Sequence, residues 1–282
     1  MAGSQQAIKS RIASVDSTKK ITNAMQMVAS AKLNKARSHM DSNREYSDSL
    51  QELLSMVLSR TDAGHSLLKE DETKPSFVFV ITSDMGLCGG YNANVFKTIQ
   101  HQLKDNDILV MVGSRGASWA KARNKNIHEV LIDLNEDNAY EELAREMDKA
   151  IEMYKKGEIG SVKVLFTHYK NTLTFEPTVE NLLPPTPQET TLEKRVRRET
   201  IFEPNKQEML EQLIPMITKS VLYAKFMESK TSEQASRRMA MESATDNAEE
   251  LIEKLNLEYN RIRQGAITQE ITEIVSGANA LK

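Results

Sequence analysis

The chain has 282 residues, of which 39% are hydrophobic, 27% charged and 5% aromatic, with a formal net charge of −3. A single cysteine, Cys88, excludes an internal disulfide and a cysteine-based zinc site, and no apolar run approaches the roughly 20 residues that a membrane-spanning helix needs. The low content of aromatic residues, Gly (11) and Pro (7) favours helices over sheets. The length allows about two domains.

The first predicted element is one long helix, because residues 4 to 63 contain neither Gly nor Pro. The next Gly is Gly64, just after this run. Its basic residues outnumber its acids: residues 1 to 40 hold seven Lys and Arg against Asp16 alone. Steps of three and four predict a thin apolar stripe rich in Ala, Met and Thr. The stripe consists of Ile8, Ile12, Val15, Thr18, Ile21, Met25, Val28, Ala29, Leu33, Ala36 and Met40.

Residues 216 to 264 form a second run without Gly or Pro, and the same steps predict a second stripe that is apolar at both ends and small or polar in the middle. Helices of this length need support from each other or from another chain. An antiparallel pair is the simplest way to bury both stripes. The second stripe runs through Leu213, Ile217, Ser220, Ala224, Met227, Thr231, Gln234, Arg238, Met241, Thr245, Ala248, Ile252, Leu255, Tyr259, Ile262 and Ala266.

Between the two helices, strand and helix patterns alternate. Apolar runs at 77–84, 107–114 and 161–170 read as strands, a helix follows each of the first two, and 171–184 reads as a further strand or hairpin. The expected fold is therefore mixed α/β: a long antiparallel coiled coil plus a small Rossmann-like α/β domain. The expected boundaries are 1–63 for the first helix, 64–206 for the α/β domain and 207–282 for the second helix.

The sequence presents no catalytic site, metal site or cofactor site of its own. The loop SDMGLCGGYNAN follows a strand and opens a helix, but it lacks the Gly-Lys-Ser/Thr of a phosphate loop and the G-x-G-x-x-G fingerprint, so its glycines are interpreted as turn residues, as is GSRG. No motif links Cys88 to a base, which favours a small buried thiol. Basic residues without interleaved aromatics argue against nucleic acid.

The carboxyl-terminal segment ITQEITEIVSGANALK places apolar residues on one helical face. An apolar terminus of this kind is not expected to be free in water. It either folds back on the helix pair or projects into a partner, and the apolar face consists of Ile267, Ile271, Ile274 and Val275.

Four blocks, in order, resemble the gamma subunit family of the F-type rotary ATP synthases over the whole chain. They are KKITNAMQMVASAKL, SDMGLCGGYNAN, MAMESATDNAEELI and the terminal segment with Ile267-Thr268, Glu270, Glu273, Gly277-Ala278 and Ala280. The resemblance implies a rotor shaft that has no active site and needs no cofactor. It would lie within three alpha and three beta subunits, with its globular end on the epsilon subunit and the ring of c subunits, and would couple ion-driven rotation to ATP synthesis or hydrolysis.

The resemblance also implies roles for particular residues. Contacts that couple rotation to the alpha and beta subunits would involve Met25, Arg237, Arg263, Gln264, Thr268 and Glu270. Ile267, Ile271, Ile274 and Val275 would turn in a hydrophobic bearing, Phe202 and Glu203 would face the c ring and epsilon, and Lys20, Lys32 and Lys35 would face acidic lever segments of beta.

The amino terminus lacks a secretory pattern, and the resemblance then implies a peripheral protein on the cytoplasmic side of a bacterial plasma membrane, although a processed mitochondrial chain would look alike. Two other hypotheses stay open on the residues alone. One is a homo-oligomeric coiled-coil scaffold, and the other is a nucleotide-dependent enzyme that uses the glycine-rich loop.

Overall fold

The computed structural model describes residues 2–58, 66–185 and 206–280. The chain begins with helix α1 (Ala2–Leu58) and a short 3-10 turn (Ser66–Leu68), and ends with helix α5 (Lys206–Ala280). Between them lie β1 (Ser76–Ile81), α2 (Tyr91–Gln102), β2 (Ile108–Val112), α3 (Ser114–Lys121), β3 (Ile127–Leu131), α4 (Ala139–Lys155), β4 (Ser161–Tyr169) and β5 (Phe175–Leu183). No helix in these described ranges is long and apolar enough to cross a membrane.

The described residues form two compact units. The helix-pair unit contains the described residues up to Ser30 and those from Arg237 onward. The α/β unit contains the described residues from Ala31 to Ser236, so it includes the later part of α1 and the earlier part of α5.

The α/β unit is built on a five-stranded sheet of order β3-β2-β1-β4-β5. β1 pairs in parallel with β2 and β4, and β2 pairs in parallel with β3, whereas β5 is antiparallel to β4. Residues 171–184, predicted as a further strand or a hairpin, supply the single strand β5, which pairs with β4. The expected fold class, a mainly parallel α/β domain combined with long terminal helices, is confirmed.

Alternate residues of β1 supply two cores, because successive side chains of a strand point to opposite faces of the sheet. Val78 and Val80 pack with residues of α2 and α3 on one face. Phe77, Phe79 and Ile81 belong to the other core. That second core also includes apolar residues of α1, α4 and α5, namely Leu50, Leu54, Val57, Leu143, Met147, Leu210, Ile214, Leu222 and Phe226.

Two elements were absent from the sequence-based assignment, α3 and β3. GSRG was read only as a turn, and Gly113 does turn the chain with φ of +99°, but Gly116 lies inside α3. A Cβ atom on Gly116 would lie 2.5 Å from Thr82 Oγ1, so this glycine permits close packing of α3 on β1. β3 was missed because its sequence, IHEVL, is short and only half buried.

Candidate functional site: the faces of the two long helices

The middle of α5 is bonded to the free backbone edge of β4. The last paired residues of β1 and β4 are Val80 and Leu165. β1 then ends at Ile81, whereas β4 continues to Tyr169. Beyond that point side chains of α5 replace the missing strand. The N–H of Thr167 donates to Ser229 Oγ (3.0 Å), and the Thr167 carbonyl accepts from Ser232 Oγ (2.9 Å).

A glutamate extends this junction by one more strand position. The Tyr169 N–H donates to Glu228 Oε1 (3.1 Å), and His168 Nδ1 contacts the same carboxylate oxygen. Thr167 and Tyr169 are two residues apart, so their N–H groups point to the same side of the strand. A buried backbone donor without a partner destabilises the fold, and here α5 supplies each partner.

The glycine-rich loop also bonds to α5. Ser236 Oγ donates to the Cys88 carbonyl (2.6 Å), and the Tyr91 hydroxyl lies 2.8 Å from Ser229 Oγ. Burial, reinforced by the charge of Glu233, raises the pKa of Tyr91 far above its ordinary value, so the neutral hydroxyl is retained as a hydrogen-bonding group. Ser229, Ser232 and Ser236, which lie outside the predicted second stripe, therefore attach the helix to the α/β fold.

Polar atoms of the glycine-rich loop are also hydrogen-bonded to other groups of the protein. Asn92 accepts the Ser83 N–H (3.1 Å) and donates to Ser83 Oγ (2.7 Å), and its amide also contacts Cys88 Sγ (3.3 Å). Gly89, with φ of +56°, makes the tight turn that the sequence predicted. Cys88 is a buried free thiol, also as expected.

In the helix-pair unit, α1 and α5 run antiparallel. Thr22 Oγ1 lies 2.8 Å from Thr245 Oγ1, and Lys19 Nζ forms an ion pair with Glu249 Oε1 at 2.7 Å. Moving back three residues along α1 moves the contact forward four residues along α5, which is the antiparallel register. This pairing confirms the predicted arrangement of the two helices.

The predicted stripe of α5 is confirmed, since all of its residues are buried or half-buried. The predicted stripe of α1 is wrong at Thr18, Ile21 and Val28, which are exposed, the last two at 59% and 56%. Thr22, which the stripe did not include, is buried, and Ala29 is buried as predicted. The buried positions repeat every seven residues, as in a coiled coil, whereas the predicted path departed from this repeat by one residue between Val15 and Ala29.

The carboxyl-terminal part of α5 is exposed from residue 267 to residue 279. From the register above, Ala2 of α1 lies opposite about residue 265, so later residues have no opposing residue in the described part of α1. Eight exposed positions for which the resemblance implies a role lie within an arc of about 160° around the helix axis, at 100° per residue. These positions are Arg263, Gln264, Ile267, Thr268, Glu270, Ile271, Ile274 and Val275.

The remaining residues for which the resemblance implies a role differ in burial. Met25 is half-buried, and Arg237 is only 7% exposed. Lys20 is exposed and bonded to Asp16 at 2.8 Å, and the hydrogen bond and charge of Asp16 raise the pKa of Lys20. Phe202 and Glu203 lie outside the described residues.

Two further lysines are exposed on the α1 segment of the α/β unit. Lys32 and Lys35 line a cavity of about 300 Å³ together with Lys230, and Lys35 Nζ forms an ion pair with Glu136 at 3.2 Å. Burial alone would raise the pKa of Glu136, but the bond from Lys35 and the charges of Lys35 and His39 lower it overall. Within residues 2–58, 66–185 and 206–280, no group of three or more His, Cys, Asp and Glu could hold a metal ion.

Comparisons with known proteins agree over nearly the whole chain. The profile of the ATP synthase family matches residues 4–281. The chain is 38% identical over 287 residues to the ATP synthase gamma chain of Staphylococcus saprophyticus, covering 99% of this chain and 100% of the relative. It is 40% identical over 284 residues to the ATP synthase gamma chain of Alkaliphilus metalliredigens, covering 98% of each.

Solved structures give the same result. A chain of the central stalk and c ring of the Tetrahymena thermophila mitochondrial ATP synthase aligns with a TM-score of 0.60 at 25% identity, covering 79% of this chain and 99% of that one. A chain of the Euglena gracilis mitochondrial ATP synthase aligns with a TM-score of 0.68 at 15% identity, covering 100% and 95%, and supports the fold alone.

Together the helix pair and the α/β unit define a central-stalk protein of a rotary ATP synthase. The chain belongs to the ATP synthase gamma chain family.

Proposed function

We propose that this gamma chain is a non-catalytic shaft. It would turn with the c ring and drive the catalytic beta subunits through their binding states, so that ion flow is coupled to ATP synthesis or hydrolysis. The observation that carries this proposal is the exposed end of α5, where polar and apolar side chains share one side of the helix. A one-sided surface presents a different contact at each angle of rotation, which a uniform cylinder cannot do.

The proposed coupling surface combines two chemistries on that side. Arg263, Gln264, Thr268 and Glu270 offer directional hydrogen bonds and charge, which suit contacts made and broken at defined angles with the alpha and beta subunits. Ile267, Ile271, Ile274 and Val275 offer apolar surface, whose attraction is non-directional and tolerates turning inside a hydrophobic bearing.

Two further regions complete the proposed contacts with the catalytic subunits. Met25 and Arg237 would lie at the coupling region of the helix pair. The exposed ammonium groups of Lys20, Lys32 and Lys35 would face acidic lever segments of beta, a complementarity that steers association and fixes orientation.

At the other end, Phe202 and Glu203 would contact the epsilon subunit and the c ring. We assign residues 64–206 as the rotor foot and residues 1–63 and 207–282 as the shaft. Three alpha and three beta subunits, one epsilon subunit and the c ring are the proposed partners. The identified relatives from Staphylococcus and Alkaliphilus are bacterial, which supports a peripheral location on the cytoplasmic side of a bacterial plasma membrane.

Purification of the complex tests this proposal. A tag on the β4–β5 turn of the α/β unit would be used to isolate the chain gently from its own membranes, followed by subunit mass analysis and an assay of magnesium-dependent ATP hydrolysis. The proposal expects two larger subunits in threefold excess together with ATPase activity. A symmetric oligomer of this chain alone, without activity, would support the scaffold hypothesis instead.

A matched pair of substitutions tests the one-sided surface. Gln264 lies on the shared side of α5, whereas Gln269 lies about 140° away and bonds to Glu273 at 2.9 Å. We expect Gln264→Lys to slow ATP turnover by about tenfold in the assembled enzyme, since it loses an acceptor and adds a charge. Gln269→Lys should leave turnover close to wild type, and equal effects of the two changes would remove sidedness from the mechanism.

A further inference from the structure

The attachment of α5 to the sheet is polar where most helix-to-sheet attachments are apolar. Ser229 and Ser232 are fully buried, and Ser236 is nearly so. They are spaced at i, i+3 and i+7, which places them on one stripe along the helix. The stripe spans about two helical turns.

The partners of this stripe belong to two different elements of the α/β unit. Ser229 and Ser232 bond to the N–H and the carbonyl of Thr167 on β4, at 3.0 and 2.9 Å. Ser236 bonds to the Cys88 carbonyl of the loop after β1, at 2.6 Å. Three of the four groups that meet the serines are backbone atoms of the sheet and its loop, so they do not swing away as flexible side chains would, and the fourth is the Tyr91 hydroxyl.

The serine hydrogen bonds depend on direction, whereas the contacts of the neighbouring apolar core do not. Leu222 and Phe226 of α5 belong to the large apolar core, and their attraction depends on buried area rather than on angle. A hydrogen bond, by contrast, weakens steeply when its angle departs from linearity. Rolling α5 about its own axis would therefore strain every bond of the stripe at once while much of the apolar burial persisted.

We infer that Ser229 and Ser232 form a torsional clamp, which fixes the rotational setting of α5 on the sheet and carries torque between α5 and the sheet. The inference rests on the proposed rotor function. The two serines are positioning residues, since they act by holding α5 and not by touching nucleotide or ion. Tyr91, 2.8 Å from Ser229 Oγ, supports the clamp by holding that hydroxyl in place.

Single-molecule measurement of torsional stiffness in the assembled complex tests the clamp. The ring of catalytic subunits would be immobilised, and a rod would be attached to Leu173→Cys, an exposed site in the β4–β5 turn, where the native Cys88 is buried and does not compete for the label. Angular fluctuations of the rod during a catalytic pause report the stiffness between the label and the immobilised ring.

We expect Ser229→Ala and Ser232→Ala each to widen the angular variance, and the double variant to widen it by about twofold or more. Ser243→Ala, on an exposed position of the same helix, should leave the variance unchanged. Leu222→Ala is the second control, because it should lower the melting temperature of the chain with little effect on the variance.

The experiment distinguishes failure of the clamp from failure of the proposed rotor function. If the single variants assemble and rotate with the variance of wild type, the clamp is refuted. A wild-type complex that hydrolyses ATP without rotating contradicts the proposed function itself. If the double variant does not assemble, the single variants decide, together with hydrogen exchange of the full chain: Ser229→Ala should speed exchange of the Thr167 amide at least about tenfold, and unchanged exchange would refute the bond on which the clamp depends.

Discussion

Thr22 of α1 and Thr245 of α5 meet hydroxyl to hydroxyl across the helix pair, 2.8 Å apart. Each hydroxyl also contacts a carbonyl of its own helix, Lys19 for Thr22 and Met241 for Thr245. A seam position that would hold Leu or Ile in a permanent coiled coil is thus filled by a polar pair.

The threonine pair predicts non-additive stability effects. Thr22→Val and Thr245→Val should each destabilise the helix pair by about 0.5 to 1 kcal/mol, because each leaves a hydroxyl facing a methyl group. The double variant should be more stable than either single variant, since two apolar groups then face each other. Urea unfolding of the four proteins of this double-mutant cycle measures the coupling, and strictly additive changes would show that the two hydroxyls do not interact.

Two glycines predict opposite outcomes of the same substitution. Gly113 has φ of +99°, and a Cβ atom there would lie 2.5 Å from the Thr82 carbonyl oxygen, so Gly113→Ala should destabilise the chain by at least about 2 kcal/mol. Gly265 lies inside α5 with no atom within 4 Å of its Cβ position, so Gly265→Ala should stabilise by up to about 1 kcal/mol. Thermal unfolding of both variants checks this contrast, which fails if the two melting temperatures move together.

Tyr154 predicts a loss of stability in alkali. Its hydroxyl donates to the Lys69 carbonyl at 2.5 Å, and burial, with the nearby charge of Glu70, raises its pKa to about 12. The fold therefore favours the neutral phenol, whose contribution is complete below the unfolded pKa of about 10 and is lost as the pH rises through about 12.

Chemical unfolding between pH 8 and pH 12 measures this contribution. Tyr154→Phe should lower stability at pH 8 by about 1 kcal/mol and should flatten the decline between pH 10 and pH 12. The exposed Tyr46 provides the control, since Tyr46→Phe should leave the slope as in wild type. An unchanged slope for Tyr154→Phe would mean that this hydroxyl does not govern the alkaline transition.

Met25 predicts an effect on coupling. Met25→Lys adds a positive charge at the proposed coupling region, where we propose that acidic lever segments of beta lie, and should lower coupling efficiency more than ATP hydrolysis. Met27 is 64% exposed and points about 200° away around α1, so Met27→Lys is the matched control and should change neither activity strongly. Proton or sodium pumping per ATP hydrolysed, measured in membrane vesicles, compares the two variants, and equal loss of pumping and hydrolysis in Met25→Lys would argue against the assignment.

The sequence predicted the elements whose pattern is long and strong. Two helices without internal breakers and an apolar β1 follow directly from composition and periodicity, and the antiparallel pairing follows from the length of the segment between the helices. β3 and α3 did not follow, because a five-residue, half-buried strand and an eight-residue helix carry too little pattern. Glycine at position 116 even suggested a turn where its actual role is close packing against Thr82.

The faces of the long helices were harder to predict than the helices themselves. Steps of three and four selected Ile21 and Val28 because they are apolar, yet the seven-residue repeat leaves both exposed and buries Thr22. Ser229 and Ser232 were not singled out in the sequence, since sequence alone does not show that β4 extends beyond β1 and leaves a backbone edge for the serines to bind.

Rotation of the α/β unit against the immobilised catalytic subunits is the direct test of the rotor assignment. A rod on Leu173→Cys would be observed in the assembled complex while ATP is hydrolysed. A rotor shaft should turn in a single direction with three pauses in each turn, one for each beta subunit. A rod that stays fixed in angle while the same complexes hydrolyse ATP would contradict the assignment of this chain as the rotor shaft.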